Sequence, residues 1–201
     1  MNRLLCRSIT SVVLVLAGSL NGVAQQSSIR KSAPSLSSDG VLMSRSPNTT
    51  DLDWRKYAPE GFGVSFELPG DAIERPYPVP AVLQSRIRAA RVFDYSDEHV
   101  AVNIGHMVFA QHTDLKRLAE EMKSSLYRSG KLRDLKISLV PTGDRILMNG
   151  SYVPDGRDAD LQGFFLGSGE EAWVIFVHTL REYQETKAIR SRILDSITRN
   201  P

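Results

Sequence analysis

"EAWVIFVHT", Glu171 to Thr179, is apolar on both sides of an extended chain. Ala172, Val174 and Phe176 point one way and Trp173, Ile175 and Val177 the other. A strand of this kind lies in the middle of a sheet covered on both faces. Each such side chain contributes about 1.5–3 kcal/mol when buried, so neither face is left to water. The stretch predicts a layered body with this strand at its centre.

Working back from it, "LKISLV", "DRILMNGSYV" and "ADLQGFFLG" read as three more extended pieces. They are separated by Pro141-Thr142-Gly143, Pro154-Asp155-Gly156 and Gly167-Ser168-Gly169, which are turn signals. Further back, "ARVFDYS" leads through Asp97-Glu98 into "HVAVNIGHMVFA", a predicted hairpin. Between the two groups lies "TDLKRLAEEMKSSLYRSG". Thr113 or Asp114 caps this helix, Leu115, Leu118, Met122 and Leu126 form its apolar stripe, and Gly130 ends it. "YQETKAIRSRILDSITRN" predicts a closing helix over 183–200, with Ile189, Ile193 and Ile197 at fourfold spacing.

"YAPEGFGVSFELPGD", Tyr57 to Asp71, invites a different reading because Gly61 and Gly63 flank Phe62. A phosphate-cradling loop needs a helix N-terminus after its glycines. Here Val64, Phe66 and Leu68 alternate with Ser65 and Glu67, so a strand follows. Pro69-Gly70 closes it as a turn. The order strands, helix, strands, helix, with short turns, predicts an α+β fold. The expected body is a sandwich whose mostly antiparallel central sheet is covered on both faces.

The amino terminus carries Arg3 and Arg7, an apolar run from Ile9 to Leu20, and small residues at Gly22 and Ala24. That is the pattern of a secretory signal over 1–24, cleaved after Ala24. A membrane anchor is disfavoured because spanning takes about 20 apolar residues; an uncleaved signal stays open. Residues 25–52 include eight serines and no aromatic residue, which predicts a disordered linker. Residues 53–201 then form a single domain of ordinary size. The only cysteine, Cys6, lies in the signal, so the mature chain has no thiol for a disulfide, a nucleophile or a zinc site. The 25 basic and 23 acidic side chains become 23 of each once Arg3 and Arg7 are removed. A neutral mature protein lacks the field that drives nucleic-acid binding.

Trp54 and Tyr57, followed by "GFGVSFELPGD", resemble the first strand of PsbP-like domains. "AIRSRILDSI", Ala188 to Ile197, resembles their terminal helix. The sequence departs from that pattern at Phe66-Glu67-Leu68-Pro69 and at Pro76 to Pro80. The resemblance covers 53–201 and rests on packing residues. It implies an α/β/α sandwich used mainly as a noncatalytic binding or assembly module. Members serve as an extrinsic photosystem subunit and as a Ran-binding nuclear transport factor, and many bacterial members are exported. It carries over no catalytic residue.

Candidate chemistry is sparse. His106 and His178 are in phase with apolar neighbours on predicted strands, unlike His99 and His112. If their strands were adjacent, the two imidazoles could meet as a metal or acid–base pair. The competing reading is two hydrogen-bonded histidines, favoured because no carboxylate stands at ligand spacing. Asp155, Asp158 and Asp160 offer oxygen ligands for calcium, but the spacing departs from the EF-hand order, and a solvated loop is favoured. "SDEH", Ser96 to His99, reads as a polar turn rather than hydrolase chemistry. Arg86, Arg88 and Arg91 are expected along one strand face, as an anionic contact surface or a solvated edge.

The expected function is therefore an exported, noncatalytic domain, periplasmic or secreted, binding a protein or envelope component through its sheet edge or loops. It has no expected catalytic, cofactor-binding or metal residue, no nucleic-acid partner and no stable membrane insertion. The alternatives are a small-molecule or metal-ion module with a pocket between sheet and helix, and, less favoured, a hydrolytic enzyme.

Overall fold

A computed structural model describes residues 52–76, 85–97, 99–129, 132–154 and 157–200. The expected signal over 1–24, Cys6, most of the 25–52 linker, residues 77–80 and Asp155 lie outside the described residues. Short strands open the domain: β1 (Arg55–Tyr57), β2 (Val64–Leu68) and β3 (Ile73–Pro76). The hairpin of β4 (Ile87–Ser96) and β5 (Val100–Phe109) follows, then helix α1 (Leu115–Ser129). Strands β6 (Lys136–Thr142), β7 (Arg145–Tyr152), β8 (Ala159–Ser168) and β9 (Glu171–Leu180) lead to α2 (Glu185–Ser196) and a terminal β10 (Thr198–Arg199).

The described strands form a seven-stranded sheet in the order β3-β4-β5-β9-β8-β7-β6, and a small sheet in the order β1-β2-β10. All pairings are antiparallel. Strand β9 sits in the middle of the large sheet, as its two apolar faces require. Met107, Ala172, Val174 and Phe165 face α1, whose Leu118, Met122 and Leu126 close one core. Ile104, Trp173, Ile175 and Val177 face the opposite way, toward β2 and toward Ile189 and Ile193 of α2. The result is the expected three-layer α+β sandwich. Leu52, the last residue of the expected linker, packs on this second core.

The local signals explain the element ends. Asp114 caps α1, its Oδ1 accepting from the backbone N–H groups of Lys116 and Arg117 at 2.9 and 3.2 Å. Asp97 closes the β4–β5 turn by accepting from the N–H groups of His99 and Val100 at 2.7 and 2.8 Å. Glu98 lies outside the described residues, and Asp97 is engaged with backbone and with the Tyr95 hydroxyl at 2.7 Å.

Gly63 adopts φ +75°, and a Cβ there would stand 2.6 Å from the Trp173 ring. That ring donates its Nε1–H to the Phe62 carbonyl at 2.6 Å. The glycine lets the chain lie flat on the tryptophan before β2 begins, so its role is geometric.

The closing helix departs from expectation. It stops at Ser196, Ile197 is extended (φ −76°, ψ 113°), and Thr198 and Arg199 pair with Ser65 and Val64. Ile197 and Thr198 are β-branched, and the Thr198 hydroxyl lies 2.8 Å from that of Ser65. Completing the small sheet satisfies backbone groups that a further helical turn would leave at its frayed end.

Candidate functional site

The two singled-out histidines do not meet. Their strands are adjacent, but His106 stands opposite Trp173 while His178 stands opposite Ala101. Five residues along a strand is about 17 Å, and an odd offset puts the two rings on opposite faces of the sheet. The metal or acid–base pair is excluded by register. His178 is buried on the α1 face with Nδ1 3.1 Å from the Tyr152 hydroxyl, and burial lowers its pKa to about 3. His106 is buried on the other face, stacked on Trp173 at 5.0 Å and edge-on to Phe62 at 5.5 Å.

His106 does have a carboxylate nearby, contrary to the sequence reading. Glu171 stands two residues before Trp173, on the same face, and its Oε2 lies 3.7 Å from His106 Nε2. No spacing along the chain signals this contact, because only the register of β5 against β9 creates it. Burial lowers the His106 pKa, with Arg91 acting in the same direction and Glu171 opposing. Glu171→Gln is therefore expected to move the His106 titration further down, read from its ring protons by NMR. An unchanged or raised pKa would show that the carboxylate does not act on the ring.

Of the aspartate run, Asp155 lies outside the described residues and Asp160 is already paired with arginine. Asp160 is held by Arg181 at 2.6 Å and by Arg190 at 3.2 Å, which ties β8 to the turn after β9 and to α2. Two guanidinium groups neutralise the carboxylate a cation would need. Among the described residues no cluster of three metal-ligating side chains occurs.

The arginines do not form one face either. A bulge between Ile87 and Ala89 takes Arg88 out of register, and each guanidinium has its own acid. Arg86 meets Glu121 at 3.7 Å, Arg88 meets Glu170 at 3.0 Å and Arg91 meets Glu74 at 2.7 Å. Strand β4 is also no open edge along Arg91–Asp94, since β3 pairs with it there.

What the fold does build is a cleft of about 380 Å³ between the sheet and the amino end of α1. It is lined among others by Arg86, Phe109, His112, Asp114, Arg117 and Glu121. Its floor is fixed by backbone bonds from Ala110 N–H to the Arg86 carbonyl (2.8 Å) and from Thr113 N–H to the Gly169 carbonyl (3.1 Å). Glu121 accepts from Arg117 Nε at 3.0 Å as well as facing Arg86. Asp114 is occupied by the helix cap. Both carboxylates of the cleft are therefore engaged, while the Arg117 side chain is 62 % exposed. A guanidinium carries five N–H donors, so the single shared carboxylate leaves donors over. The arrangement can hold a polar group that accepts hydrogen bonds, with Phe109 and Leu118 behind it. The sequence signal was the polar run "AQHTD", Ala110 to Asp114, between a strand and a helix.

No protein-family model matches the chain, and no curated protein matches it. Several solved structures are similar. A cyanobacterial PsbP, the kind of domain the sequence resembles, is among them. That protein, from Synechocystis, is 11 % identical with a TM-score of 0.47, over 82 % of this chain and 99 % of its own. LpqN of Mycobacterium tuberculosis, involved in cell envelope biogenesis, is 13 % identical with a TM-score of 0.41, over 78 % and 99 %. A protein of Bacteroides thetaiotaomicron is 13 % identical with a TM-score of 0.40, over 73 % of this chain. The chain spans about half of that protein's length, 48 %.

Proposed function

We propose that the chain is an exported, noncatalytic binding domain, and that it holds a carboxylate group of a protein or envelope partner in the cleft beside α1. The observation that carries this reading is the pair of guanidiniums, Arg86 and Arg117, sharing one carboxylate at the mouth of a preformed cleft. Arginine forks bind carboxylates with two parallel hydrogen bonds, and a cleft of this size suits one small group. The noncatalytic part rests on the state of the acids. Asp114 is tied to backbone N–H groups and Glu121 to arginine, so both carboxylates of the cleft hold structure together. Export rests on the basic, apolar and small-residue order of 1–24.

The test is an NMR titration of the full mature chain with acetate, succinate and N-acetylglutamate. Saturable shifts are expected at the amides of 110–118, and Arg117→Ala should weaken binding about tenfold, or about 1.4 kcal/mol. Arg117 is exposed, so the variant is expected to melt with the parent protein. A flat titration with all three acids, or shifts that survive Arg117→Ala undiminished, would overturn the reading.

A further inference from the structure

Strand β6 is one edge of the seven-stranded sheet. In an antiparallel pair, alternate residues turn their N–H and C=O groups away from the partner strand. Ile137 is one of the outward residues, because its N–H donates to the Tyr127 hydroxyl at 2.9 Å and not to β7. By alternation the next outward residues are Leu139 and Pro141. Pro141 has no N–H to offer. Of the three outward positions, then, one donor is taken by a side chain from the last turn of α1 and one is missing. Among the described residues, only the Leu139 N–H then remains for an incoming strand.

The side chains around this edge would otherwise favour pairing. Val140 is 45 % exposed, and Ile137 and Leu139 are partly buried against the α1 core. An extended, apolar edge with a free donor row is a template for a second strand. From this geometry we infer that Tyr127 and Pro141 together close the β6 edge against antiparallel addition of β6 from a second copy of this chain. Tyr127 supplies its hydroxyl from α1, so the guard is formed only once the helix has docked. The guard is thus a property of the folded domain and is absent from a chain in which α1 has not packed.

Hydrogen exchange on the native protein tests the geometry directly. The Ile137 amide is expected to be protected and the Leu139 amide to exchange quickly. Equal protection at both positions would overturn the inference, because Leu139 would then not face the open edge. The function of the guard is tested with Tyr127→Phe combined with Pro141→Thr, which restores both donors. The double variant is expected to elute at twice the monomer mass by light scattering at concentrations where the parent does not, with Leu139 now protected. A folded double variant that remains as monomeric as its parent would sink the proposal, as would a parent protein already paired through β6. If the double variant does not fold, Tyr127→Phe alone must speed exchange at Ile137; unchanged exchange there would equally overturn it.

Discussion

Gly163→Ala is expected to lower the stability of the domain by about 3 kcal/mol or more, which moves a urea midpoint down by about 1–2 M. Gly163 lies in β8, flanked by β7 and β9, opposite Phe176. A methyl group at this position would stand 1.9 Å from the Ile175 carbonyl oxygen and 3.1 Å from the Phe176 ring. The ring can turn, but the carbonyl belongs to the backbone of the central strand. It can retreat only if β8 and β9 separate, which breaks ladder hydrogen bonds on both sides. Replacing glycine usually gains about 0.4–1 kcal/mol by restricting the unfolded chain, too little to offset that clash. Gly143, in the β6–β7 turn, provides the contrast. A Cβ there meets nothing within 4 Å, so Gly143→Ala costs only the strain of its φ of +58°. A Gly163→Ala midpoint no lower than that of Gly143→Ala would show that the sheet spreads freely at its centre.

The same glycine shows where sequence reading stops. "ADLQGFFLG" was legible as a strand from its composition, but nothing in it says that the neighbouring backbone comes so close. The layered architecture was legible because it rests on short-range patterns. Two-sided burial in Trp173–Val177 fixed the central strand, and the fourfold spacing of Leu118, Met122 and Leu126 fixed the helix face. The end of α2 was not legible, because Ile197 fits the helical period as well as it fits the core beside β2. Only the long-range pairing of Thr198 with Ser65 decides between them. The cleft was equally hidden. Arg86 precedes β4, Phe109 ends β5 and Glu121 lies on α1, and their meeting depends on how α1 crosses the sheet. His106 and His178 show the same limit for the disfavoured pair. Phase along each strand was read correctly, but phase cannot supply the register between strands, and an odd offset puts the rings on opposite faces.

Burial of His178 carries a pH dependence with a definite direction. Its ring is enclosed by the Tyr152 hydroxyl at 3.1 Å and by the edges of Tyr152 and Phe176 at 5.7 and 6.5 Å between ring centres. Burial lowers its pKa from 6.5 to about 3 in the native state. Above pH 6.5 neither the folded nor the unfolded ring holds the extra proton, and the group is silent. As pH falls below 6.5 the unfolded chain takes up a proton that the native ring refuses. Stability then falls by more than about 1 kcal/mol for each pH unit, until the native ring is itself protonated near pH 3. Most of this window lies above the range where ion-paired carboxylates titrate, so the upper part reports histidine. Burial of His106 adds a loss of the same sign, with Glu171 opposing it. The clean comparison is therefore His178→Leu combined with Tyr152→Phe, which removes the imidazole without leaving the tyrosine hydroxyl unpaired. Between pH 7 and pH 5 the double variant is expected to lose about 2 kcal/mol less than the native protein, read from urea unfolding at each pH. Parallel stability curves for the two proteins would mean that His178 accepts its proton inside the fold as readily as outside it. The enclosure by Tyr152 and Phe176 would then open at little cost.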